Sequence, residues 1–562
     1  MASVRNLKRL FPLFLFLLML KGLPALAQFS SGIEGTVLDS SGAAVPEAQV
    51  TITDTRLGVS RTAKASGTGY FRIDSIAAST YTVHVESSGF TSWEQKELTL
   101  QVGEIRTLTP VLSVGSTTES VTVTAGAAAL NLVAPTTGSV ISSITLQNTP
   151  LAGQNIYGLA ALTPGMTGNA VTSGDNYTNE YAININAAGL RQEQNGYQID
   201  GAYTNTPSRG GSTSISPNPQ IVESMDIRTN DFDATKGRNG GATADVFTKS
   251  GTSDFHGSFN YYFLNDSLSA RTEFESTVPT FTRNEVGATF GGPIIKNKFF
   301  IFGSIDVLRS STTNAGQYTV ETQDFENWAK ANLPNNIATQ ILTTAPPLAF
   351  PTTGIQTVSQ LEASNPGFFA PPANLPANLN AVGTASISYS IPKDGYQWSV
   401  RGDYYLRDKD RIYVTAIRTY DTSVSATPRP ALNTGQANSS DFVNVNWTHV
   451  FSPRLLNEAG VNIIRPFGSN LPTDTMAIPY VNVTGLQGFA NWGPGNFTQQ
   501  TLGWRDMMTA SIKTHTLKFG FEQFNIREND QQSGAFGRPT YNFNNLLDFV
   551  QDQPLTESAT PG

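Results

Sequence analysis

The chain contains no cysteine, and that absence excludes disulfide frameworks, thiolate metal sites and cysteine nucleophiles together. Histidine is scarce as well. His84, His256, His449 and His515 are the only four. None has a second at metal-ligand spacing, so neither a metal site nor a cofactor is expected. Charged residues make up 14% of the chain, where about 25% is usual for a soluble domain. Acidic residues outnumber basic ones, 44 to 36, for a formal net charge of -8, so the basic footprint of a nucleic-acid binder is missing and no nucleic-acid partner is expected. Catalytic signatures are missing too. There is no Gly-x-Ser-x-Gly elbow, no His-Glu-x-x-His and no Walker loop, so no catalytic residue is nominated and the chain is not expected to be an enzyme. Beyond residue 27, no apolar run approaches the about 20 residues of a spanning helix. Any membrane crossing must therefore be made by strands.

The N-terminus has a different composition from the rest. Arg5, Lys8 and Arg9 precede an apolar run from Leu10 to Leu20, and Ala25-Leu26-Ala27 follows before Gln28. This three-part pattern predicts a signal peptide over 1–27.

Three further regions differ in pattern. Residues 28–115 carry short alternating segments around Ile33 to Val37, Val50 to Ile52, Tyr70 to Ile73, Tyr81 to Val85, Leu98 to Val102 and Leu108 to Leu112. They are separated by Gly, Ser and Asp turns, which predicts a β-sandwich. Residues 116–250 are mixed α+β. Two short helical pieces end at Pro150 and Pro164, and strand segments follow at 182–186, 196–200, 225–228 and 242–248. From 251 to 562 long period-two segments dominate. Phe255, Gly257, Phe259, Tyr261 and Phe263 alternate with polar residues, as do Tyr396, Trp398, Val400, Gly402, Tyr404 and Leu406, then Val443, Val445 and Trp447, then Leu517, Phe519 and Phe521. Each such strand has one apolar and one polar face. Segments of about 10 residues with aromatics near their ends, tight reversals such as Asp408 to Asp410 and very long connections fit a transmembrane barrel. About nine or ten strands are expected after residue 250, with 312–395, 422–440 and 466–500 as long external loops. Phe368, Phe369, Trp492 and Phe497 in these loops are candidate ligand contacts. The end of the chain, from Asn542 to Gly562, reads as a loop and not as a closing strand.

These motifs resemble a known family. Residues 33–52 (Ile-Glu-Gly-Thr-Val to Gln-Val-Thr-Ile), with Gly67-Thr-Gly-Tyr-Phe71, Tyr81-Thr-Val83 and Gly89-Phe90, resemble a carboxypeptidase regulatory-like domain, a non-catalytic sandwich. Tyr197-Gln-Ile-Asp-Gly201, Gln220-Ile-Val-Glu-Ser224 and Gly237-Arg-Asn-Gly-Gly-Ala242 resemble the plug of TonB-dependent receptors. Ser250 to Ser258, Phe290 to Phe300 and Phe451 to Glu458 resemble the barrel of the Oar-like group of those receptors. The resemblance implies a mainly β fold: N-terminal β-sandwich, α+β plug over 116–250, and an incomplete large antiparallel transmembrane β-barrel over 251–562. Family barrels of this kind have about 22 strands, so a truncated barrel is expected.

The resemblance also implies a place in the outer membrane, with lipid around the barrel, the sandwich and plug on the periplasmic side or in the lumen, and an undetermined extracellular ligand. The run Glu119, Ser120, Val121, Thr122, Val123, Thr124 and Ala125 looks like the segment that pairs with a TonB-type energy-coupling protein by β-augmentation. A plain linker strand is the alternative. Asp200, Gly201, Glu223 and Arg238 are the plug motif, and Asp200, Glu223 and Arg238 are candidates to hold a plug in its lumen. Two other readings remain beside transport: an adhesion or envelope-organising protein of the same architecture, and a soluble secreted binding protein.

Overall fold

The computed structural model describes residues 31–76, 79–100, 104–115, 120–124, 137–149, 151, 154–169, 184–206, 212–229, 235, 237–271, 278, 280–407, 409–452, 455–472, 479–489, 495–512, 515–532 and 539–558. The signal-peptide segment, Glu119, Ala125 and Trp492 lie outside the described residues.

The first unit is a sandwich. Its strands are β1 (Ser31–Thr36), β2 (Gln49–Asp54), β3 (Ser60–Lys64), β4 (Tyr70–Ile76), β5 (Ser79–Glu86), β6 (Ser92–Leu100), β7 (Ile105–Leu108) and β8 (Ser120–Thr124). One sheet runs β4-β1-β7 and the other β8-β6-β5-β2-β3. Alternation does the sorting: β5 turns Tyr81, Val83 and Val85 inward and Thr80, Thr82 and His84 outward. Ile33, Ile52, Phe71, Val83, Leu98 and Leu112 meet between the sheets, and each fully buried side chain of this size contributes about 1.5–3 kcal/mol. Gly35 is required on β1, because a Cβ there would collide with the Leu108 carbonyl of the parallel neighbour β7. His84 is half-exposed on the outer face, 3.7 Å from Glu86.

The second unit is α+β. Strands β9 (Gly138–Ser142), β10 (Gly196–Ile199), β11 (Ala202–Tyr203), β12 (Val222–Arg228) and β13 (Thr243–Thr248) form one sheet in the order β9-β12-β13-β10-β11. Helix α1 (Ser143–Asn148) starts where the Ser142 side chain accepts from Thr145 N–H, and it stops before Pro150. A 3₁₀ turn over Ile156–Leu162, capped by Asn155, stops before Pro164. The two helical pieces thus end where proline removes the next donor.

The third unit is one long antiparallel sheet. It runs β14 (His256–Asn265), β15 (Phe281–Ile295), β16 (Phe299–Glu321), β17 (Asn380–Arg407), β18 (Asp410–Ser425), β19 (Thr434–Ser452), β20 (Leu455–Pro472), β21 (Gly495–Ile512) and β22 (His515–Gln532), each strand paired with the next in sequence and the sheet not closed on itself. Rows of neighbours cross it. Val400, Ala416, Val443, Ile463 and Leu502 form one row, and Gly402, Val414, Val445, Val461 and Trp504 form the next. These rows are apolar yet exposed, as are Phe259 at 74% and Phe519 at 55%. The opposite face is polar and buried, with Gln397, Ser399, Arg401, Asp403, Thr415, Thr419, Asn444 and Asn446. An apolar exterior around a polar interior is the barrel arrangement and the inverse of a soluble sandwich. Stacked Tyr396 and Tyr420 mark one border of the apolar belt, and Trp447, His449 and Phe451 the other. From Tyr396 to Tyr404 the strand rises about 26 Å, the right order for an apolar band about 25 Å tall.

The expected loop boundaries need correction. The segment 312–395 is shorter as an excursion than expected: β16 and β17 stay paired from Phe299↔Tyr404 up to Glu321↔Val382, so 312–321 and 380–395 are strand. Likewise 422–425, 434–440, 466–472 and 495–500 are strands of the long sheet. Above the belt there is no lipid to demand an apolar face, so Ser310, Ser311, Thr312, Thr313 and Asn314 continue the strand without the alternation that would reveal it. The true excursion, 322–379, folds into helices α2 (Gln323–Asn332), α3 (Ile337–Thr344) and α4 (Val358–Ser364). With α5 (Leu546–Phe549) and the strands Tyr480–Val483, Thr540–Phe543 and Thr556–Ser558, these helices build a cap over this end of the sheet. The cap has its own core of Phe325, Leu342, Leu361, Val481, Phe489, Phe543, Leu547 and Phe549. The segment after Asn542, expected as a loop, belongs to this cap and adds no strand to the long sheet.

Candidate functional site

The α+β unit stands against the polar face of the long sheet. Its core (Tyr157, Tyr197, Ile199, Met225, Ile227 and Val246) is continuous with Phe302, Ile417, Phe442 and Ile464 of the wall. Apolar contact brings the two together, and a polar cluster fixes their register.

That cluster is built on the tip of the β10–β11 hairpin. Ile199 pairs with Ala202, so Asp200 and Gly201 form a two-residue turn. Both have positive φ, 47° and 75°, the geometry that an Asp-Gly pair suits best. The turn aims Asp200 at the wall. Its Oδ1 accepts from Arg401 Nη1 at 3.1 Å and Thr248 N–H at 2.9 Å. Oδ2 accepts from the hydroxyls of Thr248 and Thr415, both at 2.6 Å. The Asp200 carbonyl accepts from Tyr413 Oη at 3.1 Å and Asn444 Nδ2 at 3.0 Å. Next to it, the Gly201 carbonyl accepts from Arg505, which also donates to Asn446 Oδ1 at 2.8 Å. A Cβ on Gly201 would stand 2.6 Å from the Arg505 guanidinium, so the turn needs glycine for space as well as for φ.

Behind Asp200 the charges alternate. Arg401 donates to both oxygens of Asp403, at 2.8 and 3.1 Å, and Arg411 reaches Asp403 at 2.6 Å. Arg401 lies over the Tyr413 ring at 4.7 Å. Arg401 and Arg411 balance Asp200 and Asp403, with Arg505 half-buried at the margin, and each carboxylate is multiply hydrogen-bonded, which makes burial of such charges tolerable. Four wall strands contribute, β17 (Arg401, Asp403), β18 (Arg411, Tyr413, Thr415), β19 (Asn444, Asn446) and β21 (Arg505), all closing on one hairpin tip.

Lesser ties surround this latch. Gln397 accepts from Asn218 N–H at 2.7 Å and donates to the Ser216 carbonyl at 3.0 Å. Gln220 donates to Tyr262 Oη at 3.1 Å. Of the residues nominated from sequence, Asp200 and Gly201 sit at the centre of the cluster. Arg238 lies apart, over Phe524 of β22 at 4.5 Å and Tyr203 at 5.7 Å. Glu223 turns away from the wall and pairs with Arg56 of the sandwich at 2.9 Å. Ser120–Thr124 is β8, at the edge of the sandwich.

Sequence reading missed Arg401, Asp403, Arg411, Thr415 and Arg505. A usable signal existed: Arg401 and Asp403 are charges in mid-strand on the non-lipid face, where any partner must come from inside.

The loops expected to meet ligand are mostly cap. Phe368 and Phe369 are held by their backbone N–H groups, which donate to Asp548 at 2.7 and 3.1 Å, and their rings face outward. Phe497 lies within β21, not in a loop. Among the described residues no group of His, Cys, Asp and Glu could hold a metal ion.

Comparison with known proteins agrees with this architecture. Residues 247–561 match the outer membrane beta barrel domain family and residues 32–113 the carboxypeptidase regulatory-like domain family. The first match spans more than half of the chain, and the chain belongs to the outer membrane beta barrel domain family. It is an outer-membrane protein, with the α+β unit inside the barrel wall. Among individual proteins, it is similar to the TonB-dependent transporter Oar of Myxococcus xanthus, at 29% identity over 312 residues, covering 50% of this chain and 27% of that protein. Solved structures similar to it include the siderophore receptor PirA from Acinetobacter baumannii (14% identity, TM-score 0.44, 70% of this chain and 49% of that one). The outer membrane transporter YddB from Escherichia coli is another (12% identity, TM-score 0.46, 72% and 50%). The chain spans about a quarter of the length of the curated relative it matches, at 27%, and about half of those solved structures.

Proposed function

We propose that this protein is a TonB-dependent outer-membrane receptor that binds an extracellular ligand and admits it past a lumenal plug. In this reading residues 1–27 are the signal peptide, 28–115 the regulatory-like sandwich, 116–250 the plug and 251–562 barrel. The observation that carries it is the latch at Asp200. The inner unit stands in the lumen and meets the wall through an apolar contact and a polar latch centred on one hairpin tip, not through a shared sheet. Such a joint can open without unfolding either partner, and opening it is the conformational coupling that transport requires. The role needs no covalent chemistry. Energy would arrive through residues 119–125, taken as a strand by a periplasmic coupling protein.

The test uses detergent-solubilised protein and the purified periplasmic domain of the host's TonB-type protein. Binding measured by biolayer interferometry is expected with the intact chain and lost on deletion of residues 119–125. Undiminished binding by the deletion variant would overturn the coupling role of that segment.

A further inference from the structure

The segment assigned to energy coupling is already occupied. Ser120–Thr124 runs parallel to the start of β6, with Ser120↔Ser92, Val121↔Trp93, Thr122↔Glu94, Val123↔Gln95 and Thr124↔Lys96 in register. The parallel direction has a local cause. Thr91 N–H donates to the Ser113 carbonyl at 2.8 Å, and Gly115 N–H to the Gly89 carbonyl at 3.2 Å. These bonds bring the chain just before β8 beside the chain just before β6, so both strands leave from the same end. In the sheet order β8 is the edge strand, held on one side only.

Both what it covers and how weakly it is held matter. Without β8, Ser92–Lys96 would be the bare edge of the sandwich sheet, a template for any extended chain. With it, that edge is filled, but by a short parallel ladder, which is slightly less stable per residue than an antiparallel one. The sandwich itself is anchored elsewhere. The turn after β2 places Arg56 against Glu223 of the inner unit at 2.9 Å, and Ser253 N–H donates to the Arg56 carbonyl at 2.9 Å. Asp54, Arg61 and Tyr81 of the sandwich line one small cleft with Tyr405 and Arg411 of the barrel wall. The β8 strand can therefore leave while the sandwich stays docked beneath the lumen.

We propose that the Ser92–Lys96 edge is a β-augmentation site for the chain's own Ser120–Thr124 segment, and that a periplasmic energy-coupling protein competes with it for that segment. This rests on the assignment of 119–125 as the coupling segment. A strand parked on the sandwich is unavailable, so apparent affinity for the coupling protein falls in proportion to the parked fraction. The regulatory-like domain thereby sets the threshold for coupling without touching the ligand.

The absence of native cysteine makes the test clean. Glu94→Cys with Thr122→Cys, introduced into the whole chain in detergent, allows a single disulfide that locks β8 to β6. The probe is again the periplasmic domain of the host's TonB-type protein. With the disulfide formed, verified by thiol titration, binding is expected to be at least tenfold weaker than after reduction of the same variant. Equal binding by oxidised and reduced forms would overturn the competition. Hydrogen exchange on the unsubstituted chain decides the parking itself: slow exchange at 120–124 is expected, and exchange as fast as a free peptide would overturn it. If the parent chain bound no probe while 120–124 stayed protected, the coupling assignment would fall and the edge site would stand.

Discussion

At the scale of single residues, the latch concentrates its energy on Asp200. The side chain is 3% exposed and receives four hydrogen bonds, one from a guanidinium. Removing one member of a buried, hydrogen-bonded ion pair costs about 3–5 kcal/mol because the other charge is left unpaired. Asp200→Ala should therefore speed hydrogen exchange of β10, β11 and β13 by about a hundredfold or more while leaving the wall strands protected. Asp200→Asn, which keeps size and one acceptor, should fall between. Exchange unchanged in both would mean that the apolar contact holds the plug alone. Gly201→Ala attacks the same joint sterically, with a Cβ at 2.6 Å from Arg505 and a positive φ. A strained backbone of this kind costs about 1–3 kcal/mol, and a lowered unfolding midpoint of the hairpin in exchange experiments is the expected result. Asp200 and Gly201 were legible in the sequence because Tyr197-Gln-Ile-Asp-Gly201 resembles the family's plug motif. Their wall partners were not. Arg401 and Thr415 are recruited by strand register, and a polar residue on the lumenal face looks the same in sequence whether it meets a carboxylate or water.

At the scale of elements, the same limit appears along the strands. The lipid belt imposes period two, so the middle of β17, β19 and β22 could be read directly. Where the strands rise past the lipid the constraint ends, and β16 and β17 continue unseen through Ser- and Thr-rich sequence to Glu321 and Asn380. The cap was equally hidden, because its core draws on loops far apart in the chain. It depends on one internal ion pair. Arg429 and Glu321 are both 0% exposed and joined bidentately, Arg429 also donates to the Ala345 carbonyl at 2.9 Å, and its guanidinium lies 4.0 Å over Phe489. Arg429→Ala strands the Glu321 charge, at a cost of about 3–5 kcal/mol. Limited proteolysis should then cut within 322–379 at protease levels that leave the parent chain intact, while the barrel strands resist. The paired change Glu321→Leu with Arg429→Leu should lose much less, since no buried charge remains. If the single and double variants were cut alike, the pair would matter for packing and not for charge.

At the scale of the whole molecule, sandwich, plug and wall meet at Arg56. Its partner Glu223 is 167 residues away in sequence, which is why Glu223 was assigned to the wall when read from the sequence alone. The contact is modest. Arg56 and Glu223 side chains are 41% and 32% exposed, and such solvated pairs contribute about 0.2–1 kcal/mol. The backbone bond from Ser253 and the contact at Tyr405 and Arg411 add to it, but no large apolar core joins the sandwich to the barrel among the described residues. The sandwich is thus placed to move as a body, with its own core intact, when its docking contacts are overcome. Arg56→Glu sets two carboxylates face to face and should undock it. Spin labels at Ser41→Cys and Lys409→Cys in the otherwise cysteine-free chain would report this by double electron–electron resonance. A single narrow distance is expected in the parent background and a broad, longer distribution with Arg56→Glu. Adding Glu223→Arg restores an opposite-charge pair and should restore the narrow distance. A narrow distribution that survives Arg56→Glu would show that shape complementarity at the rim, and not this ion pair, holds the sandwich against the barrel.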